Sequence, residues 1–314
     1  MSPDEVRSAL ANSNARFAAF APGQPLGEFS AERPFPERFP YRPESVIRMV
    51  ASEPVLALLL PRALVMEVAD PKVGAGVDQH SHFKHQPLRR LLATGDCALR
   101  LSFGGESDAL AAASHIYAVH DRIYGHLPDA AGRWGAGSAY TAHDASLLLW
   151  VWATIVDTFK VGFERWVRPL SEGEADELYA DQAAFALFFG IPSGMIPPDR
   201  KSFESYLTNV VHDQALGSSP TSQALAHDIV YFDHPLVPSP IVRAQRALSV
   251  TTLDPTLVSR LGLRLCEKDR RLALKLDAAL TRHYRRLPQW RKAIPSIYLG
   301  GRRLLEASGF LRGS

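Results

Sequence analysis

Imidazole is the side chain that most readily binds a metal or moves a proton near neutral pH, and two stretches of this chain concentrate it. One is HIYAVHDRIYG, residues 115–125. On a helical wheel Ala113, Ile116, Tyr117, His120, Ile123 and Tyr124 share a face, at spacings of three and four. His115 falls ~140° from His120 at ~100° per residue. His120 is therefore expected to point inward and His115 elsewhere. A neutral imidazole in an apolar helix wall is what a haem iron needs from a proximal ligand. It is also what a core histidine looks like when its ring hydrogen-bonds a nearby carbonyl.

The other stretch is DQHSHFKHQP, with His80, His82 and His85. Zinc needs three or four ligands in fixed geometry. His80 and His82 would splay ~200° apart on a helix, so one helix cannot offer both to one ion. Two acids also stand out. Asp144, in YTAHD, reads as the N-cap of a long helix, with Tyr140 packed against it. Asp157 lies among apolar residues in ATIVDTFKV and must find a partner. Arg122 and the second ring nitrogen of His120 are the candidates.

The elements that would hold these residues are helical. Apolar residues recur at helical spacing from Pro43 onward, punctuated by Gly and Pro, with no run of alternating β-branched residues. The pattern predicts helices over 45–67 (broken near Pro54 and Pro61), 71–83, 87–103, 107–124, 144–167, 171–189, 201–212, 222–231, 241–250, 254–261, 267–287 and 295–308. Ser171-Glu-Gly-Glu174 is a capping box, and Gly125 and Gly190 suit helix ends. Residues 21–45 form a proline-rich extended arm. The chain is thus expected to be all-α, with an arm over 1–44 and one domain over 45–314.

Composition narrows the function classes. The 314 residues carry a net charge of +2, which predicts no bulk attraction to nucleic acid. Two cysteines, Cys97 and Cys266, make neither a disulfide framework nor a cysteine-rich metal site. The N-terminus lacks the apolar core of a secretory signal. The longest strongly apolar run, 145–156, is short of the ~20 residues a bilayer span needs. These features lead to an expectation of a cytoplasmic protein without a transmembrane segment. Residues 260–292 hold eleven basic and three acidic residues. Leu272, Leu276, Ala279, Leu280 and Leu287 make an inward stripe there, so the charges read as a solvated face. Peripheral contact with an anionic membrane is the alternative. Hydrolase and nucleotide signatures fail: GIPSG is not G-x-S-x-G, and GAG at 74–76 lacks its third glycine and a βαβ setting.

Seven segments, in order, resemble the MpaB-type oxygenase family, which includes the catalytic domain of rubber oxygenase. They are RALVMEVADPKVGAGVDQHSHF, PLRRLLAT, HIYAVHDRIYG, the long stretch from YTAHD to DELY, FGIPSGMIP, LDPTLVSRLGLRLCEKDRRLALKLDAAL and RRLPQWRKAIP. The resemblance covers roughly residues 45–298. It implies an all-helical fold with a globin-like core and haem b, hence iron, as cofactor. His120 looks like the proximal haem ligand. The family's R-x-x-x-T pattern falls on Arg90 and Thr94, which share a helix face four residues apart. Arg90 would hold a haem propionate or a polar distal network, and Thr94 would offer its hydroxyl to the oxidant. His80 fills an H-S-x-F position and is implied to touch the haem pocket.

The chain departs from the family at three places. Ala93 stands where rubber oxygenase has a lysine, so rubber-type distal ligation and rubber as substrate lose that support. Asp70 and Trp152 stand where many members have histidine. The reading that results is a haem b-dependent oxygenase. Its substrate would be small and hydrophobic (isoprenoid, lipid or aromatic), oxidised with O2 or peroxide by oxygen insertion or carbon–carbon cleavage. The apolar pocket is expected from 45–67 and 144–167. A haem carrier or sensor, and a helical protein without cofactor, are the competing readings.

Overall fold

The computed structural model describes residues 38–80, 87–232 and 237–293, with the stretch 87–94 described through its backbone alone. The described chain is all-α apart from one small hairpin. Helices α1 (Val46–Ala51), α2 (Leu60–Ala69), α3 (Pro71–His80), α4 (Pro87–Phe103) and α5 (Glu106–His120) come first, with a 3-10 turn, Pro54–Leu59, between α1 and α2. Strands β1 (Tyr124–His126) and β2 (Ala139–Thr141) pair antiparallel. Then come α6 (Ala145–Trp166), α7 (Glu172–Phe188), α8 (Arg200–His212), α9 (Pro220–Val230), α10 (Ser239–Thr252), α11 (Pro255–Arg260) and α12 (Glu267–His283).

Local chemistry sets the boundaries. The Asp144 carboxylate accepts the Ser146 N–H at 2.9 Å and so starts α6. Ser171 Oγ accepts the Glu174 N–H, while Glu174 accepts the Ser171 N–H at 2.9 Å, which is the reciprocal box that starts α7. Gly190, at φ 79°, ends that helix in the left-handed region. Asp70 accepts the N–H groups of Lys72 and Val73 and starts α3. Asp70 thus has a capping task of its own.

Helix α6 is the axle. It packs against α1, α2, α7 and α12. At 22 residues it is longer than the apolar run in its sequence suggested, and by length and composition alone it is apolar enough to cross a membrane. Most of it is buried in the body, with Trp152, Phe163 and Trp166 at 1% exposure or less. The main core surrounds it with Leu59, Leu101, Phe188 and Ile191. A second core joins α2 to α9 through Val65, Leu225 and Ile229. Each such side chain contributes about 1.5–3 kcal/mol of burial. Residues 38–44, the end of the proline-rich arm, join the main core through Phe39 and Tyr41, and Tyr41 donates a hydrogen bond to the Asp181 carbonyl.

Two expectations on elements need correction. The helix expected over 107–124 stops at His120. There the backbone tightens, with Arg122 N bonding Val119 O and Ile123 N bonding His120 O. Tyr124 then enters β1 instead of continuing the helix, and Gly125 pairs with Tyr140 across the hairpin. A Cβ at Gly125 would lie 2.8 Å from Tyr140 Oη, so glycine is needed there for close approach. The inward stripe of the basic C-terminal helix is narrower than expected. Leu272, Leu276 and Leu280 are half-buried, but Ala279 and Leu287 are exposed. The piece expected over 295–308 lies outside the described residues.

Candidate active site

A chamber of about 470 Å³ opens beside α6. One wall is α6 itself, through Leu147, Val151, Ile155 and Phe159, which repeat every four residues and so share a face. The facing wall is the end of α5, through His115, Ile116, Val119 and His120. Ile47 and Val50 of α1, with Phe185 and Phe189 at the end of α7, extend the apolar lining. The pocket expected from 45–67 and 144–167 is present, and α3, α5 and α7 complete it.

His120 is the last residue of α5, half-buried on the chamber wall. The His143 ring stands edge-on to it, 6.0 Å between centroids, and packs against Tyr117 at 4.2 Å. His143 is 1% exposed, and its Nε2 lies 2.9 Å from Asp121 Oδ1. The carboxylate beside the histidine pair is therefore Asp121. Asp157 is elsewhere: its Oδ2 pairs with Arg62 Nη2 at 2.6 Å. That corrects both partners expected for Asp157, since neither Arg122 nor His120 serves.

The other end of the chamber is polar. Glu67, Lys72 and Tyr140 line the chamber too, and all three are buried. The Tyr140 hydroxyl donates to Gln79 Oε1 at 2.7 Å, and Gln79 Nε2 donates to the His126 carbonyl at 3.0 Å. Burial pushes the Tyr140 phenol up to about 12. The Tyr140 hydroxyl ties α3 to the hairpin. Lys72 Nζ sits 3.9 Å from the centroid of the Trp134 ring. Burial lowers its pKa, and loss of water raises that of neighbouring Asp70.

The other sequence candidates fall as follows. His80 lines the chamber while remaining exposed, its Nε2 2.9 Å from the Tyr124 carbonyl oxygen. His115, expected to point away, lines the same chamber as His120 from an exposed position. The chamber is wide enough that two directions on one helix both reach it. Arg90 and Thr94 lie on α4, and their side chains are outside the described residues, as is that of Ala93. His82 and His85 are also outside them. Among the described residues no group of three or more His, Cys, Asp or Glu side chains could hold a metal ion. Trp152 lines the chamber and donates Nε1–H to the Gln182 carbonyl at 2.9 Å. Lys72, Asp121 and His143 were not singled out in the sequence. Adjacent His-Asp pairs, at 120–121 and 143–144, were the available signal for the last two.

Residues 47–287 match the family model described as ER-bound oxygenase mpaB/B′ and rubber oxygenase, catalytic domain. The chain belongs to this oxygenase family. Two curated relatives, uncharacterised proteins of Mycobacterium bovis and Mycobacterium tuberculosis, are each 32% identical to this family member over 157 residues. The match covers 48% of this chain and 58% of each relative, so the chain spans little more than half the length of those proteins. No solved structure matches it.

Proposed function

We propose that the chain is a haem b-dependent oxygenase acting on a small hydrophobic substrate in the chamber beside α6. The observation that carries the reading is His120 on the wall of a mostly apolar chamber of about 470 Å³, in a chain of an oxygenase family. That volume falls within the ~300–1,000 Å³ typical of cofactor and ligand sites. The lining suits a haem in two respects: one imidazole for iron and apolar walls for a porphyrin face. Bound there, haem would supply the one-electron and oxygen chemistry that protein side chains lack.

The chain's own residues have separable tasks. His120 would hold the iron. Asp121 fixes the His143 ring, and that ring packs edge-on to His120, so the pair positions the ligand imidazole. Leu147, Val151, Ile155 and Phe159 bind apolar substrate and exclude water, which strengthens every polar interaction left in the chamber. Arg90 and Thr94, four residues apart on α4, are the proposed polar groups for the oxidant side, with His80 at the chamber's edge. Isoprenoid, lipid and aromatic substrates suit such a lining, and oxygen insertion or oxidative carbon–carbon cleavage suits the family.

The test is the absorption spectrum of protein produced with haem precursor, taken oxidised, reduced and with carbon monoxide, beside His120→Ala. The expected result is a Soret band near haem stoichiometry that is lost or shifted in the variant. Oxygen uptake with hydrophobic alkenes would then separate an oxygenase from a haem carrier. A folded protein that stays colourless after haem reconstitution overturns the reading.

A further inference from the structure

Of the eleven basic residues in 260–292, eight are exposed, Lys268, Arg270, Lys275, Arg285 and Arg286 among them. The three acids of the stretch do little to offset them. Asp269 is buried and pairs with Arg243 and Arg246 of α10, and Asp277 pairs with Arg165 of α6. Glu267 is exposed and faces Arg271 at 3.4 Å. A solvated charged face needs no apolar company, yet this one has it. Leu274, Trp290 and Leu287, at 71%, 69% and 48% exposure, are the three most exposed large apolar side chains among the described residues, and all three lie here. Leu274 stands on α12 within three or four residues of Arg270, Arg271 and Ala278, so the four share its outer face. Trp290 is held out on a fixed 3-10 turn, Gln289–Ala293. There Lys292 Nζ pairs with buried Glu53 at 3.0 Å, and Arg291 Nη1 donates to the Leu287 carbonyl at 2.6 Å. The Tyr284 hydroxyl, just ahead, donates to the same glutamate at 3.0 Å. Apolar side chains kept in water on a built surface mark a place that something else covers.

We propose that the outer face of α12 and the turns that follow it dock on an anionic lipid bilayer. Charge gives the direction. The stretch carries +8 in a chain of net charge +2, so the remainder carries −6. An anionic surface attracts the one part and repels the other, which leaves the molecule a single way to face it. The apolar tips give the depth. An indole settles at the level of lipid headgroups, and leucine side chains reach the acyl boundary below them. The inner face of α12 stays with the body through Ala273, Leu276 and Leu280, so the helix would lie along the bilayer and not enter it. Nucleic acid would use the same cations, and a base could stack on Trp290. A phosphate backbone, however, gives Leu274 and Leu287 nothing to bury against. The role of this surface is independent of what the chamber binds.

The experiment is co-sedimentation of the full chain with vesicles of phosphatidylcholine alone and of an equal mixture of phosphatidylcholine and phosphatidylserine, at low and at physiological salt. Wild type is expected to bind the mixed vesicles at least about ten-fold more tightly, with the preference falling as salt rises. Tryptophan emission should shift to the blue on binding, because Trp290 is the exposed indole of the five. Reversing three exposed charges together, Lys275→Glu, Arg285→Glu and Arg286→Glu, should abolish binding. Leu274→Ser with Trp290→Ser should weaken it by about ten-fold and leave its salt dependence in place. Unfolding midpoints confirm that both variants fold. Equal binding of the two vesicles by wild type overturns the proposal without any variant. So does binding that survives the charge reversals. Loss in the charge variant with none in Leu274→Ser, Trp290→Ser overturns it as well, since the face would then attract any polyanion. Wild type that binds duplex DNA at physiological salt and neither vesicle would assign the face to nucleic acid instead.

Discussion

Arg62 and Lys72 are both buried cations, ten residues apart on the consecutive helices α2 and α3, and the fold treats them in opposite ways. Arg62 uses its whole guanidinium. Nη2 pairs with Asp157, Nη1 donates to Thr158 Oγ1 at 2.8 Å, and Nε donates to the Thr252 carbonyl at 3.1 Å. One side chain thus staples α2 to α6 and to the end of α10. Lys72 lies against an aromatic face and makes no close ion pair among the described residues, while Asp144 and Asp70 act on it through space. Burial alone does not say how firmly a cation is held; the count of satisfied donors does. The first cation is a rivet, and the second is held more loosely.

Breaking the rivet should give the largest effect. Arg62→Met leaves half-buried Asp157 without its cation and buried Thr158 without its donor, a loss of about 3 kcal/mol. Lys72→Met removes a charge that makes no close ion pair among the described residues and fills a similar space, so it should cost far less. Urea unfolding of both variants measures the difference through their midpoints. If the two variants lose stability equally, Lys72 is a structural cation and the contrast fails. A smaller effect belongs to Asp121→Asn. It weakens a charged hydrogen bond to His143, a loss of about 1–2 kcal/mol. The merely structural outcome stops there. A positioning role for the Asp121–His143 pair adds a shift of the Soret maximum through His120, which the Asp157 side of the molecule cannot produce.

The same contrast explains what the sequence disclosed. Helices were legible because their ends carry local signals: Asp144 and Ser171 with Glu174 bond to backbone within three residues, and Gly190 takes a conformation that few other residues take. The apolar side of the chamber was legible for the same reason, since Leu147, Val151, Ile155 and Phe159 are spaced by helix geometry. The hairpin was hidden because its strands have three residues each, too few to show alternation. The Asp157 partner was misjudged because Arg62 comes from α2, and nothing local joins them. Lys72 was overlooked because a lysine after Asp-Pro reads as an ordinary first-turn residue. Its burial against Trp134 is visible only once the fold is in place. His143 and Asp121 meet only when the hairpin closes.

The smallest effect is also the sharpest test of the pairing, because it is a difference in pH dependence. Burial lowers the pKa of Lys72, and Arg133 lowers it further, while Asp144 and Asp70 pull it back toward the ordinary value of 10.5. Between that lowered value and 10.5 the unfolded chain holds the proton more firmly than the folded one. Stability contributed by this group therefore rises with pH through that window. Lys72→Met lacks the group, so wild type should gain on the variant as the solution becomes more alkaline. Other groups that titrate there, tyrosines among them, are common to both proteins and cancel in the difference. Arg62 offers the control: a guanidinium stays charged throughout, so Arg62→Met should differ from wild type by a constant amount over the same range. A flat difference for both would mean that Asp144 and Asp70 offset the burial of Lys72 as fully as Asp157 serves Arg62. A rising difference for Lys72 alone would mean that burial outweighs their pull.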